Sequence, residues 1–278
     1  MLAEARAAAD CVAGQLAQDG ERYADLGRFL RANPPAAALT VARGSSDHAA
    51  AYCAYLIMAR LGRVVASLPM SLVTLYKAPL QARGTLAIAV SQSGQSPDVV
   101  EPISYFGAGG ATTVALVNDA ASPLAQAAQW CMPLHAGKEH SVAATKSFIA
   151  SLVAGARLVA AWQDDPALRD GLAALPEALR SAAGADWSAA LPVLTPARNI
   201  MVVGRGPGFP LALEAALKFK ETSSLQAEAF SSAEIRHGPM ALIEPDYPLL
   251  VFATRGPAQA GLVALAADMR ARGARVLL

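Results

Sequence analysis

The chain has 278 residues, 54% hydrophobic and 16% charged, with a mean hydropathy of +0.33. It is too apolar for a disordered protein and long enough for one large domain or two of ordinary size. A formal net charge of +1 leaves no electrostatic case for nucleic acid or an anionic membrane as partner.

Residues 3–31 carry a helical pattern that Asn33-Pro34-Pro35 stops. Residues 38–42 form a short run that is apolar on both faces, as in buried parallel strands. Gly44-Ser45-Ser46 follows, and then a helical stretch over 47–61. A second apolar strand, 85–90, opens into the loop Ser91-Gln92-Ser93-Gly94-Gln95-Ser96, and Pro97 suits the first turn of the next helix. Gly109-Gly110 ends that helix, and residues 112–117 read as a third strand. Strands alternating with helices predict an α/β fold with a parallel sheet.

The second half repeats the plan. Val41-Ala42-Arg43-Gly44 is matched by Val203-Gly204-Arg205-Gly206, residues 86–91 by 249–254, and Gly110-Ala111 by Gly273-Ala274. The near-constant offset predicts two similar α/β units, 37–165 and 195–278, behind an N-terminal helical segment, 1–36. In the first half the chain runs on past the third strand, whereas the second half stops at Leu278, so we expect a C-terminal segment to be missing.

The long apolar runs, such as 152–162, are interrupted by Gly155 and Arg157, too short and broken to span a bilayer. No basic start and apolar run marks a signal peptide. Cys11, Cys53 and Cys131 are scattered, without CxxC spacing, and predict buried thiols in a reducing compartment, hence a cytoplasmic protein. The four histidines (His48, His135, His140, His237) have no ligand spacing, so no metal is expected. No Walker pattern and no clean GxGxxG predicts a nucleotide cofactor, so no cofactor is expected.

A phosphate group needs donors more than it needs charge. Backbone N–H groups at a helix start and short hydroxyls supply them. The Ser91–Ser96 loop has three serines, a glycine and a following helix, at the carboxyl end of a strand, where sites in open α/β sheets lie. Gly44-Ser45-Ser46 holds the same kind of place after the first strand. The competing reading is an ordinary strand–helix turn, since Ser and Gly are common there. The densest polar stretch runs from Glu214 to Pro239. Glu214, Lys218 and Glu221 fall on one helix face, which fits either a solvated face with i,i+4 pairs or a placed carboxylate base. His237 stands directly before Gly238-Pro239, a turn that would hold an imidazole out from a constrained backbone.

These segments resemble the sugar isomerase (SIS) domain family. The Ser91–Ser96 loop is similar to the family's SQSGxT/S loop, and Val142-Ala143-Ala144-Thr145-Lys146-Ser147-Phe148 to its VASTKAF segment. Residues 213–221 resemble the ALEGALKLKE helix of the isomerase half of glucosamine-6-phosphate synthase, and 227–229 with 234–243 resemble its HAEAY…GELKHGPLALI. The resemblance implies two tandem SIS units, each a parallel sheet flanked by helices in the Rossmann or flavodoxin manner. It further implies that Ser91, Gln92, Ser93 and Ser96 bind phosphate, that Ser45 and Ser46 line the sugar, and that Val142 offers backbone contacts. Glu221 would shuttle the C1–C2 proton, His237 would assist ring opening, and Lys218 would tune Glu221. A homodimer with a site shared between subunits is implied as well.

Three departures stand out. There is no N-terminal cysteine and no glutaminase half, which turns the expectation toward a stand-alone deaminase that converts glucosamine 6-phosphate to fructose 6-phosphate and ammonia. The family's CGTS loop is Arg43-Gly44-Ser45-Ser46 here. The lysine-bearing C-terminal tail of the family lies beyond Leu278. The alternatives are an isomerase of another sugar phosphate and a non-catalytic SIS regulator that binds one.

Overall fold

The structure, a computed structural model, describes residues 1–278, which separate into two compact units, Met1–Gly184 and Ala185–Leu278. The first unit runs α1 (Leu2–Arg6), α2 (Ala8–Leu16), α3 (Gly20–Ala32), β1 (Ala37–Val41), α4 (Ser45–Leu61), β2 (Val65–Ser67), α5 (Ser71–Thr74), β3 (Thr85–Ser91), α6 (Pro97–Ala108), β4 (Thr112–Val117), α7 (Pro123–Ala127), β5 (Trp130–Pro133), α8 (Lys146–Gln163) and α9 (Pro166–Ala183). Its five strands are parallel, in the order β2-β1-β3-β4-β5. That is the flavodoxin order, and its switch point lies between β1 and β3.

The central strand shows why the sheet is two-sided. Leu86, Ile88 and Val90 of β3 enter one core with Leu26, Leu30, Ile57 and Leu158. Ala87 and Ala89 enter the other, with Val99, Ile103 and Phe106. Successive strand side chains point to opposite faces, so a run that is apolar throughout fits only a sheet covered on both sides.

The second unit runs α10 (Leu191–Leu194), β6 (Asn199–Gly204), α11 (Phe209–Ser223), β7 (Gln226–Ser231), β8 (Pro248–Val251), α12 (Gln259–Ala271) and β9 (Arg275–Leu277). Its sheet order is β7-β6-β8-β9, again all parallel. With β6 set on β1, β7 falls on β2, β8 on β3 and β9 on β4. Val41 lies opposite Ala89 in the first sheet and Val203 opposite Val251 in the second. The sequence repeat is therefore a repeat of strand order, and the observed pairing sets Val251 in the place of Ala89, one residue from the sequence match of 86–91 with 249–254.

One reading needs correction. The helical pattern over 3–31 is not one helix but three, broken at Ala7 and again between Leu16 and Gly20. Asp19 adopts a left-handed backbone, φ 57°, and its carboxylate meets His135 Nε2 at 2.5 Å. Arg157 of α8 donates to the carbonyls of Gln15 (2.7 Å) and Gln18 (2.5 Å), capping the end of α2. These distant partners outweigh local helical preference. No helix is long and apolar enough to cross a membrane.

Candidate active site

In the first unit the serine loop leaves β3 at the switch point. Ser91 is buried, and its Oγ accepts the amide of Gly94 at 3.0 Å, closing the loop on itself. Gly94 has φ +64°, and a Cβ there would stand 2.1 Å from Ser122 Oγ. Only glycine allows that approach. Gln92 and Ser93 are exposed at the tip. The Ser93 hydroxyl accepts the Gln95 amide at 3.3 Å. Ser96 is the N-cap of α6, but its side chain makes no capping bond, and Pro97 follows at the first turn. Pro97 has no N–H, and the amides of Val99 and Val100 both go to the Ser96 carbonyl at 3.0 Å, so the Asp98 amide and the Ser96 hydroxyl are the donors left at this end of α6, where an anion is favoured.

The loop after β1 arrives beside it, because β1 and β3 are neighbours. Gly44 takes φ 55°, ψ −134°, and α4 starts at once with Ser45 and Ser46, two residues earlier than the sequence pattern suggests. Both serines are half-buried. Arg43 reaches across from this loop to Asp98 in the first turn of α6, at 2.6 Å. Asp47, also in the first turn of α4, is half-buried, and burial raises its carboxyl above the ordinary value, with His48 acting in the opposite direction.

Val142 stands fully exposed between β5 and α8. The segment around it is tied down by three side chains that the sequence reading did not single out. Glu139 accepts the amides of Thr145 (3.0 Å) and Ser147 (3.1 Å) and the Ser147 hydroxyl, and so caps α8 from outside the helix. Asn118 donates to the Gly137 carbonyl at 2.9 Å and accepts the Ala136 amide at 2.8 Å. Glu4 of α1 accepts the amides of His140 (2.5 Å) and Ser141 (3.3 Å). Hydrogen bonds from Ser141 and the His140 amide hold its carboxyl down at about 2. The partners lie 6 to 137 positions apart, so no local pattern announces them.

In the second unit Glu214, Lys218 and Glu221 of α11 do share one face. Lys218 Nζ lies 3.3 Å from Glu214 Oε1 and 2.5 Å from Glu221 Oε2. The solvated-face reading fails at one end, since Glu214 is only 5% exposed and Lys218 is largely covered. Glu221, on the last turn, stays open to solvent. The cluster is thus a buried carboxylate, a bridging ammonium and an accessible carboxylate, a wired arrangement rather than a loose surface pair. His237 ends a short 3-10 turn, Ile235–His237, and is exposed. Gly238 follows at φ 148°, a conformation that favours glycine, so the backbone turn does present the imidazole outward.

The sequence pattern and the fold agree with what known proteins show. The SIS domain family model matches residues 36–161 and 193–278, and the chain belongs to that family. The glutamine–fructose-6-phosphate aminotransferase (isomerizing) of Zymomonas mobilis is 34% identical over 249 residues, which is 86% of this chain and 41% of that protein. The chain thus spans about two fifths of the length of this curated relative. A Silicibacter pomeroyi protein described as a phosphosugar isomerase is 42% identical, with a TM-score of 0.96 over 99% of this chain and 84% of that one. The glucosamine-6-phosphate deaminase of Thermotoga maritima shares the fold, with 21% identity and a TM-score of 0.73 over 96% of this chain and 84% of that one.

Proposed function

We propose that the chain is a phosphosugar isomerase acting on an amino sugar, converting glucosamine 6-phosphate and water to fructose 6-phosphate and ammonia. The observation that carries this reading is the Glu214–Lys218–Glu221 cluster, which keeps an accessible carboxylate next to a covered ammonium. In the reaction, His237 helps open the ring and free the C1 aldehyde. Glu221 takes the C2 proton to give an enolamine and returns it to C1, leaving an imine at C2. Water adds at C2 and ammonia departs. Lys218 holds Glu221 in orientation as the base. Ser91, Gln92, Ser93 and Ser96 hold the phosphate, Ser45 and Ser46 meet the sugar hydroxyls, and the backbone at Val142 adds a contact. Assembly as a homodimer in the cytoplasm belongs to the same proposal.

The test is to incubate the protein with glucosamine 6-phosphate and follow ammonia and fructose 6-phosphate together, with and without glutamine. Equal amounts of both without glutamine support the proposal. Interconversion of another aldose–ketose phosphate pair without ammonia would move the assignment to that sugar. Tight binding of sugar phosphates with no turnover on any of them would leave a binding protein and overturn the enzyme reading.

A further inference from the structure

We propose that Arg43 is the charged partner of the phosphate and that Asp98 competes for it, so that this ion pair sets the affinity of the serine loop. The inference rests on the reading of that loop as the phosphate site. The loop and its flanks, residues 91–97, contain no cationic side chain, only hydroxyls, amides and a carboxamide. A phosphate monoester is close to dianionic at neutral pH. Val41 lies opposite Ala89, so Arg43 leaves β1 level with the point where Ser91 ends β3. Its Nη2 sits 2.6 Å from Asp98 Oδ2. Asp98 is the second residue of α6, immediately after Pro97, and Ser96 is the cap. The guanidinium is therefore held at the helix end where the Asp98 amide and the Ser96 hydroxyl are the donors left to an anion.

Two groups of opposite sign thus stand at that end. The guanidinium is a planar fork suited to two phosphate oxygens at once. The Asp98 carboxylate takes one arm of the fork and repels an incoming anion. Both side chains are about half exposed, 58% and 46%, so the pair adds little to folding and a change of partner is cheap. A dianion outcompetes a single carboxylate for the same fork. The position is also a departure of this chain, because the SIS pattern that it resembles has cysteine where Arg43 stands. In the second unit the equivalent Arg205 donates instead to the hydroxyl of Ser231 at 3.1 Å.

The experiment is titration calorimetry with inorganic phosphate and with glucosamine 6-phosphate, beside steady-state kinetics. Arg43→Ala should weaken binding and raise KM about tenfold with kcat little changed, because the phosphate lies away from the reacting carbons. It should also flatten the dependence of affinity on salt. Arg43→Lys should recover part of the loss. Asp98→Asn should act in the opposite direction and tighten binding about threefold. Thermal unfolding checks that each variant is folded. Unchanged affinity in Arg43→Ala, or weaker binding in Asp98→Asn, would reduce the pair to a strut between two loops and overturn the proposal. Ser93→Ala and Ser96→Ala separate the two levels. Loss of binding there with none at Arg43 defeats this inference alone, whereas unchanged binding in the serine variants defeats the loop reading itself.

Discussion

The two units share strand order but not chemistry. In the first, β3 runs into a loop of serines pinned by Gly94 against Ser122. In the second, the equivalent β8 runs into Thr254-Arg255-Gly256, without serines. The charged cluster shows the reverse bias. The helix after β6 carries Glu214, Lys218 and Glu221. The helix after β1 carries none of them and buries Ala49, Ala50, Cys53 and Ile57 at its core face. A duplicated scaffold thus keeps its sheet, because register is fixed by apolar side chains on both faces, and changes its loops and helix faces, where substitution costs little. The proposed roles follow the split: anion binding in one unit, proton transfer in the other.

That comparison can be broken by treating the halves separately. The largest effect is expected for Glu221→Gln, which should lower kcat about a thousandfold while sugar-phosphate affinity stays near wild type. Equal loss of binding and turnover would remove the base assignment. Next comes Gly94→Ala. The added Cβ meets Ser122 at a left-handed backbone position, so unfolding stability should fall by about 2 kcal/mol and phosphate binding should collapse with it. A fully stable variant in thermal melts would contradict the close approach. Smaller again are Ser93→Ala and Ser96→Ala, each raising KM by roughly tenfold. Thr254→Ala in the matching loop of the second unit is the control and should leave KM alone. If it does not, the units do not divide the work as drawn.

The smallest predicted effect concerns pH. The Glu4 carboxyl sits at about 2 in the folded chain against an ordinary 4.5, so its folded value is depressed. Its stabilising contribution is then present above pH 4.5 and is lost as pH falls toward 2. The difference in melting temperature between wild type and Glu4→Gln should shrink across that window. A constant difference from pH 5 to pH 2 would show that the carboxylate charge at Glu4 is not what holds the segment before Val142.

Much of this architecture was legible in the sequence, and the reason is physical. β1, β3 and β4 are short and buried on both faces, so composition alone marks them to within a residue. The edge strands β2, β5 and β7 escaped. β2 has three residues, β5 ends in Pro133, and β7 alternates polar with apolar residues within a stretch that reads as chemistry. The serines and the face of α11 were visible because motif and helical spacing are local. The Arg43–Asp98 pair, the Glu139 cap and the Glu4 anchor were not, because each joins residues that only the fold brings together.

The capping of α2 by Arg157 bears on how the chain is made. The guanidinium reaches carbonyls 139 and 142 positions upstream. At 5–20 residues per second, a ribosome needs on the order of ten seconds to travel that far. Through that interval the first helices have emerged without their final partner, and the apolar faces of Val12 and Leu26 wait for α8. The four strands of the second sheet pair within residues 199–277, a much shorter stretch of chain. During synthesis, the half that begins first is the half that stays open to chaperones and proteases for longer.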